Sequence, residues 1–385
     1  MSARHEMTHA GISFRQGWRF SITPFRLVLM AISAISLALI MFRLITGLGL
    51  VTNLNDSWPW GLWISFDVMC GVALAGGGYG TALIVYVFRQ EQFSSIARSA
   101  ALTSLIGYLL VMVGLFLDIG QWWNFWRPLV SQGHSSVLFE VFICVSIYTT
   151  VQVVEFGEVT TERVGRKYHA FFRKILPILL VVGIAIPTMH QSSLGALYLL
   201  MVDKLHPLWW SPVIFFQFLL SSFFVGPAMI AVETALAGKA FNHKVPVPVL
   251  TGLIRISGCA MLVYLAVKFG DIILSGDVPY LFDGSFESVF FWIEVGLGVI
   301  VPVVICFSPL AKIRGWVVTF GALVASGVIL NRYNVVVTGM TTSTGVSYWP
   351  SPSELTITIG LVAMGMLAYL FICENFRIIE HEPQK

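Results

Sequence analysis

Charge is what this sequence has least of. Asp, Glu, Lys and Arg make up 11% of its 385 residues, against 57% hydrophobic residues. A soluble domain carries roughly 25% charged residues. The deficit excludes a water-soluble globular chain, because no soluble core needs so much apolar surface, and it makes the surrounding solvent lipid. The formal net charge of +3 is too small and too dispersed for a nucleic-acid partner. Cysteine is scarce as well. Cys70, Cys144, Cys259, Cys306 and Cys373 lie in apolar stretches and none forms a C-x-x-C pair. Iron–sulfur, zinc and c-type haem signatures are therefore missing, no metal site is expected, and the thiols read as small packing residues. Histidine is almost confined to the loops. A bis-histidine b-haem needs two imidazoles at matching depth in the membrane. Of His5, His9, His134, His169, His190, His206, His243 and His381, only His190 belongs to an apolar run, at its end. No haem is expected in this chain. There is no small-residue cleavage site after a short apolar core, so the first run, from Phe25 to about Gly47, reads as a retained helix.

Long apolar runs are what the sequence has in abundance. Runs of about 20 apolar residues mark membrane spans. They fall near 25–47, 60–88, 99–120, 135–157, 172–190, 211–237, 250–274, 286–307, 315–331 and 354–374. The expected fold is all-α, a polytopic membrane protein with about ten transmembrane helices. A tail at 1–24, a transmembrane domain at 25–374 and a tail at 375–385 make up the chain. Seventeen of the 23 Lys and Arg residues fall in the tails and the even-numbered loops. Only Arg127, Lys204 and Arg332 fall in the odd loops, while Arg43, Arg255 and Lys268 fall within spans. This asymmetry puts both termini in the cytoplasm. Tryptophan has the opposite bias: Trp58, Trp60, Trp63, Trp122, Trp123, Trp126, Trp209, Trp210, Trp292 and Trp349 lie at or near the outer face. Interface anchoring accounts for part of that excess; a partner-docking surface or a pocket that stacks an aromatic ring would account for the rest. The odd loops are too short to house a cofactor domain, so any electron donor or acceptor outside must be another chain.

Charges inside a membrane are costly and are functional suspects. In the outer half these are Asp67, Asp118, Glu140, Glu294, Lys268, Asp271 and Arg43, joined by His190. Lys268 and Asp271 sit three apart and could form a plain interfacial salt bridge. Toward the inner side lie Glu155 and Glu233. Glu140 and Glu155 share a helix, fifteen residues or roughly 22 Å apart, and a proton path using Glu140, Glu155, Glu233 and Glu294 with waters is one reading; solvated interfacial carboxylates are the other. The stretch from Gly71 to Gly80 is nearly all small, and its Gly76/Gly80 pair reads as helix packing rather than as a phosphate loop.

Six segments in order resemble one family: Trp-Pro-Trp-Gly-Leu-Trp-Ile-Ser-Phe-Asp at 58–67, Leu-Asp-Ile-Gly-Gln-Trp-Trp-Asn at 117–124, Ser-Val-Leu-Phe-Glu at 136–140, Pro-Thr-Met-His-Gln-Ser-Ser-Leu-Gly at 187–195, His-Pro-Leu-Trp at 206–209 and Phe-Trp-Ile-Glu at 291–294. The chain is similar to the NrfD/polysulfide-reductase membrane subunits, most closely to the ten-helix type called HybB in membrane-bound uptake hydrogenases. The resemblance implies two four-helix bundles with flanking helices. It implies a haem-free subunit of an anaerobic respiratory complex in the bacterial inner membrane, with a quinone site near the periplasmic face and menaquinone as the expected quinone. It also implies a periplasmic ferredoxin-like iron–sulfur partner and further redox subunits, namely a hydrogenase, a molybdoenzyme or a multihaem cytochrome. It leaves coupled proton translocation open. Asp118, Glu140 and His190 carry over as candidates for quinone proton exchange, and Asp67 and Glu294 match less specifically. In the mechanism this suggests, His190 and Gln191 or Ser192 hydrogen-bond the quinone oxygens, and a tryptophan such as Trp122 or Trp123 stacks on its ring. Imidazole exchanges protons near neutral pH. Two other functions compete. Ten helices with intramembrane carboxylates and the Gly226-Pro227 interruption suit a secondary transporter, though the acids crowd toward one face. A passive anchor for redox subunits would need only one helix.

Overall fold

In the computed structural model, residues 18–58, 60–130, 133, 136–164, 166–240, 245–376 and 378 are described. The two tails lie mostly outside them. Ten helices are long and apolar enough to cross a membrane, and no strand occurs among the described residues. They are α1 (Pro24–Thr46), α2 (Trp63–Val87), α3 (Ser94–Asp118), α4 (Val137–Val164), α5 (Arg166–Ala196), α6 (Ile214–Ala240), α7 (Val247–Ser275), α8 (Phe286–Phe307), α9 (Arg314–Val336) and α10 (Pro352–Asn375). Helices α2–α5 form one bundle and α6–α9 a second, while α1 and α10 pair with each other and lean on α3. An even number of spans leaves both ends of the chain on one face. The face carrying the loops after α1, α3, α5, α7 and α9 is called outer below, following the Lys/Arg asymmetry.

Small residues let α2 sit at the centre. A methyl group placed on Gly114 would lie 2.7 Å from Asp67 Cβ, one on Gly71 2.7 Å from Val111, and one on Gly107 2.6 Å from Ala75. Gly78 meets Ser104 in the same antiparallel register. On the other side of α2, Gly77 faces Ile230 and Gly226 packs on the Gly76 backbone. The glycine stretch is thus a packing surface, as its composition predicts, but a methyl on Gly80 would meet nothing within 4 Å, so that glycine takes no part. The same device joins α8 to α9, where Gly298 and Gly327 cross backbone to backbone. Both α2 and α8 contain wide i→i+5 turns, at Trp63–Cys70, Leu83–Val87 and Gly296–Ile300. Such turns concentrate at functional sites; here the first contains Asp67 and the last begins two residues after Glu294.

Two spans run further than their hydropathy predicts. The fifth continues through Met189–Ser193 to Leu200, because Gln191 and Ser193 find partners inside the bundle: Gln191 Nε2 donates to Val72 O at 2.9 Å and Ser193 Oγ to Glu140 Oε1 at 2.5 Å. The ninth continues past Asn331 to Val336. Arg332, assigned above to an outer loop, therefore lies inside α9 at 1% exposure. Its guanidinium sits 3.5 Å over the Phe218 ring and donates to Asn331 Oδ1 at 2.6 Å. A polar side chain ends a span in hydropathy but not in a bundle that can bond it.

The tryptophan excess has a structural explanation. Trp58, Trp63 and Trp209 are fully buried. Their indole N–H groups donate to Val346 O, Glu354 O and Glu294 Oε2 at 3.0, 3.4 and 2.8 Å, and Trp292 donates to Leu281 O at 2.9 Å. These rings pin the outer loops to the helices. Trp123, Trp126 and Trp349 remain exposed. The close crossings make a prediction. Gly298→Ala drives a methyl into the Gly327 backbone, and overpacking of that kind costs about 1–3 kcal/mol. The thermal unfolding midpoint of the purified protein should fall in Gly298→Ala and should hold or rise in Gly80→Ala, as followed by the temperature dependence of aggregation or intrinsic fluorescence.

Candidate functional site

The intramembrane polar residues fall into separate groups, and only some of the sequence candidates meet. The first group is centred on His190. Its ring is fully buried and neither nitrogen has a protein partner. Gln191 beside it spends its amide N–H on Val72 O and leaves its Oε1 unpaired. Val72 is nine residues into α2, about 13 Å below its outer end, so His190 lies well below the surface loops rather than at a span end. The Tyr108 ring of α3 is 6.4 Å from the His190 ring between centroids, and its buried hydroxyl has no protein partner. One turn outward on α5, Ser193 Oγ donates to Glu140 Oε1 at 2.5 Å. Glu140 and Ser192 are half-buried, and Met189 opens the same stretch of α5 toward lipid.

The second group occupies the outer corner between α1, α2, α3 and α10. Thr358 donates to Asp67 Oδ2 at 2.7 Å. Asp118 Oδ1 is buried with no hydrogen-bond partner, and Asp118 is electrostatically attracted to Arg43. Arg43 is itself buried and donates to Ile119 O. Glu354 is the hub of this corner. It completes a capping box with Ser351 at the start of α10, accepts the Asn53 N–H at 3.0 Å and accepts the Tyr348 hydroxyl. Burial, then the Glu354 carboxylate, push the Tyr348 phenol above its ordinary pKa, so it keeps the proton it donates. Trp122 donates to Leu44 O at 2.9 Å and meets Trp123 edge-on. Among the described residues no hydrogen bond, ion pair or ring contact joins Asp67, Asp118, Trp122 or Trp123 to His190. The structure thus separates Asp118 and the tryptophans from the histidine with which the sequence reading grouped them.

A third group fills the outer half of the second bundle. Glu294 accepts from Trp209 Nε1, Asn331 Nδ2 and Asn334 Nδ2 at 2.8, 2.7 and 2.8 Å. Lys268 is buried and donates to Leu208 O at 2.7 Å, over the Phe291 ring. It is not within ion-pair distance of Asp271 among the described residues. Glu294 and Lys268 together hold the loop at 201–213 onto α7, α8 and α9. At the inner end, Glu233 accepts hydroxyl hydrogen bonds from Ser99, Thr103 and Tyr369. Glu155 is half-buried and packs its carboxylate on Gly183 of α5.

Sequence reading missed Tyr108, Tyr148, Ser104, Gln152 and Glu354. A polar residue such as Gln152 in mid-span was the available signal; the tyrosines look like ordinary apolar-run residues. Two ligand classes can be tested against these groups. The described residues offer no facing pair of imidazoles: His190 is the one described histidine side chain in a span, and His206 lies in an outer loop, edge-on to Trp209 and Tyr280. Burial lowers the His206 pKa despite Glu287, Asp283 and Asp277 nearby. Among the described residues a bis-histidine haem finds no pair of axial ligands. A quinone carbonyl fits better, because His190 and Tyr108 offer orphaned buried polar atoms that need a hydrogen-bond partner.

The chain has well-covered relatives. It is 34% identical over 360 residues to the "probable Ni/Fe-hydrogenase 2 b-type cytochrome subunit" of Escherichia coli K12, covering 90% of each chain. It is 28% identical over 377 residues to the "menaquinone reductase, integral membrane subunit" of Nitratidesulfovibrio vulgaris, covering 88% of this chain and 87% of the relative. It is 24% identical over 394 residues to the "Hdr-like menaquinol oxidoreductase integral membrane subunit" of Archaeoglobus fulgidus, covering 93% and 94%. The family described as "Polysulphide reductase, NrfD" matches residues 50–344, which include both bundles but neither α1 nor α10; the chain belongs to that family.

Proposed function

We propose that this chain is the quinone-reactive membrane subunit of a respiratory oxidoreductase complex, exchanging electrons between the quinone pool and a redox subunit docked on its outer face. The observation that carries the reading is the buried His190 ring. Both its nitrogens lack a protein partner, with the unpaired Tyr108 hydroxyl and Gln191 Oε1 close by. Leaving such groups unbonded costs about 1–3 kcal/mol each, so the site is built for a ligand that hydrogen-bonds. A quinone headgroup has two carbonyl oxygens to accept from an imidazole N–H and a phenol, and it reaches the site from lipid past Met189 and Ser192. The relatives named for menaquinone support menaquinone as the species. Glu140, tied to α5 through Ser193, stands one turn outward as the proton-exchange group. Asp118 and Asp67 act with Arg43 at the neighbouring corner, where they set the local field instead of touching the quinone. We read haem as absent, because the described residues provide no axial pair.

No soluble domain occurs among the described residues; the electrons arrive through a partner, which we assign as a periplasmic ferredoxin-like iron–sulfur subunit with a hydrogenase, molybdoenzyme or multihaem cytochrome behind it. The exposed Trp123, Trp126 and Trp349 at the outer face offer it an apolar landing. The location we assign is the bacterial inner membrane, with both termini cytoplasmic.

Three measurements test this reading. Quinone-analogue inhibitor titrated into the detergent-purified complex should quench fluorescence with one saturable site, and His190→Ala should weaken it at least tenfold; a well-folded complex without saturable binding would defeat the assignment. Glu140→Gln should cut turnover about tenfold or more while inhibitor affinity changes less than threefold, in keeping with the size of general acid–base contributions. A reduced-minus-oxidised spectrum of the purified chain should show no haem bands. Topology has its own check: a fluorescent protein fused to the C-terminus should fluoresce, and alkaline phosphatase fused there should be inactive.

A further inference from the structure

Basic residues gather at the inner end of the second bundle without acids to match them. Between Glu233 and Asp271, and again between Glu294 and Glu354, the sequence holds no Asp or Glu. These stretches contain Arg255, Lys312 and Arg314 on the inner side. The flanking pair differs, because there Arg26 meets Glu374 at 2.6 Å. Basic loops are expected on this side of a membrane protein, but Arg255 is not in a loop. It stands eight residues into α7, about 12 Å along the helix, and its side chain is exposed, on the same face as the exposed Cys259, Leu262 and Val263. A charge on the lipid side of a span is costly unless something answers it.

Contacts between α7 and α8 fix its surroundings. Cys306 Sγ donates to Ile254 O at 3.1 Å, and a methyl on Gly258 would meet Cys306 and Phe307. So α8 ends at the level of Arg255, and the Arg255 charge interacts electrostatically with Cys306. The chain then turns through Pro309–Lys312, where Thr251 Oγ1 donates to Ala311 O at 2.9 Å. Thr251 and Arg255 lie four apart on one side of α7. The earlier end of α8 therefore leaves a step, with Lys312 one turn, about 6 Å, below Arg255. Both cations are exposed, and among the described residues neither has a hydrogen bond or an ion pair. Arg314 is occupied, since its Nη2 donates to Val245 O at 2.6 Å. Phe307 and, one turn along α8, Val304 continue the step outward as exposed apolar surface.

We propose that this step binds an anionic phospholipid of the inner leaflet, with its phosphate held by Arg255 and Lys312 and an acyl chain laid along Phe307 and Val304. A guanidinium grips a phosphodiester through two parallel N–H donors, and an ammonium adds a compact point charge. Basic pockets between transmembrane helices on this side take cardiolipin-type headgroups. Two cations one turn apart suit two phosphates joined by a single glycerol. A zwitterionic lipid brings its own ammonium to the phosphate and cancels most of the attraction. The bound lipid ties the end of α8 to α7 where the step leaves them unequal. The inference stands apart from the quinone reading.

The test is native mass spectrometry of the complete complex, delipidated in detergent and titrated with cardiolipin or, separately, with phosphatidylethanolamine of the same chains. Wild type should hold a cardiolipin about tenfold or more tighter than phosphatidylethanolamine, as two surface cations supply. Arg255→Gln combined with Lys312→Gln should lose that one tight site, and Arg255→Lys alone should keep most of it. Arg89→Gln combined with Lys174→Gln removes two exposed cations from the inner side of the first bundle and should leave cardiolipin affinity within twofold. Cardiolipin should also raise the thermal unfolding midpoint of wild type but not of the Arg255/Lys312 double variant. Millimolar inorganic phosphate should neither displace the lipid nor reproduce the thermal shift. Equal binding of the two lipids, a tight site kept by the double variant, or displacement by phosphate would each overturn the proposal.

Discussion

Everything in this fold depends on how closely α2 can approach its neighbours. It touches α3 along four successive turns through Gly114, Gly71, Gly107 and Gly78, and it touches α6 through Gly76, Gly77 and Gly226. Lipid supplies no hydrophobic force between helices, so contact must come from dispersion at short range. Any side chain at these crossings would push the helices apart. With α2 in place, Val72 O reaches Gln191 and Asp67 reaches Thr358 of α10. The two bundles and the flanking pair all meet this helix, in addition to the direct contacts of α5 with α6 and of α10 with α3.

The second constraint is that no polar group in the membrane can fall back on bulk water. Most of the intramembrane charges and amides answer it with dedicated partners. Glu294 gathers three N–H donors, Glu233 three hydroxyls, and Arg332 an asparagine, a serine and an aromatic face. These groups hold loops and helices together, and apart from Arg332 Nε none of them leaves a buried polar atom unpaired among the described residues. Around His190 the same accounting leaves nitrogens and oxygens over. Unpaired buried atoms also remain on Arg43 and Asp118 at the outer corner, so it is the clustering of open groups around one buried imidazole that sets the His190 region apart.

Depth also proves to be a poor guide to neighbourhood. Asp67, Asp118 and His190 all lie in the outer half, yet Asp67 and Asp118 belong to the corner made by α1, α2, α3 and α10, whereas His190 faces Tyr108 inside the first bundle. Helices that share a depth present different faces to different partners. Arg332 teaches the converse. Counted as a loop residue by hydropathy, it lies inside α9, because Phe218, Asn331 and Ser221 make room for a guanidinium that lipid would have expelled.

The linear order of residues determined the number of spans and the family, because each depends on local quantities: about twenty apolar residues in a row, six short segments in sequence. It also singled out His190, Glu140 and Glu155 as polar residues in costly places. Only the tertiary structure decided which of them meet. Whether Tyr148 is a lipid-facing ring or a buried one packed on α3 depends on Ser104 and Tyr108, some forty residues earlier in the chain. Whether Glu294 is open or bonded depends on Trp209, Asn331 and Asn334. Those pairings follow from helix rotation and crossing, which are set by small-residue contacts between helices distant in sequence, and no local pattern encodes them.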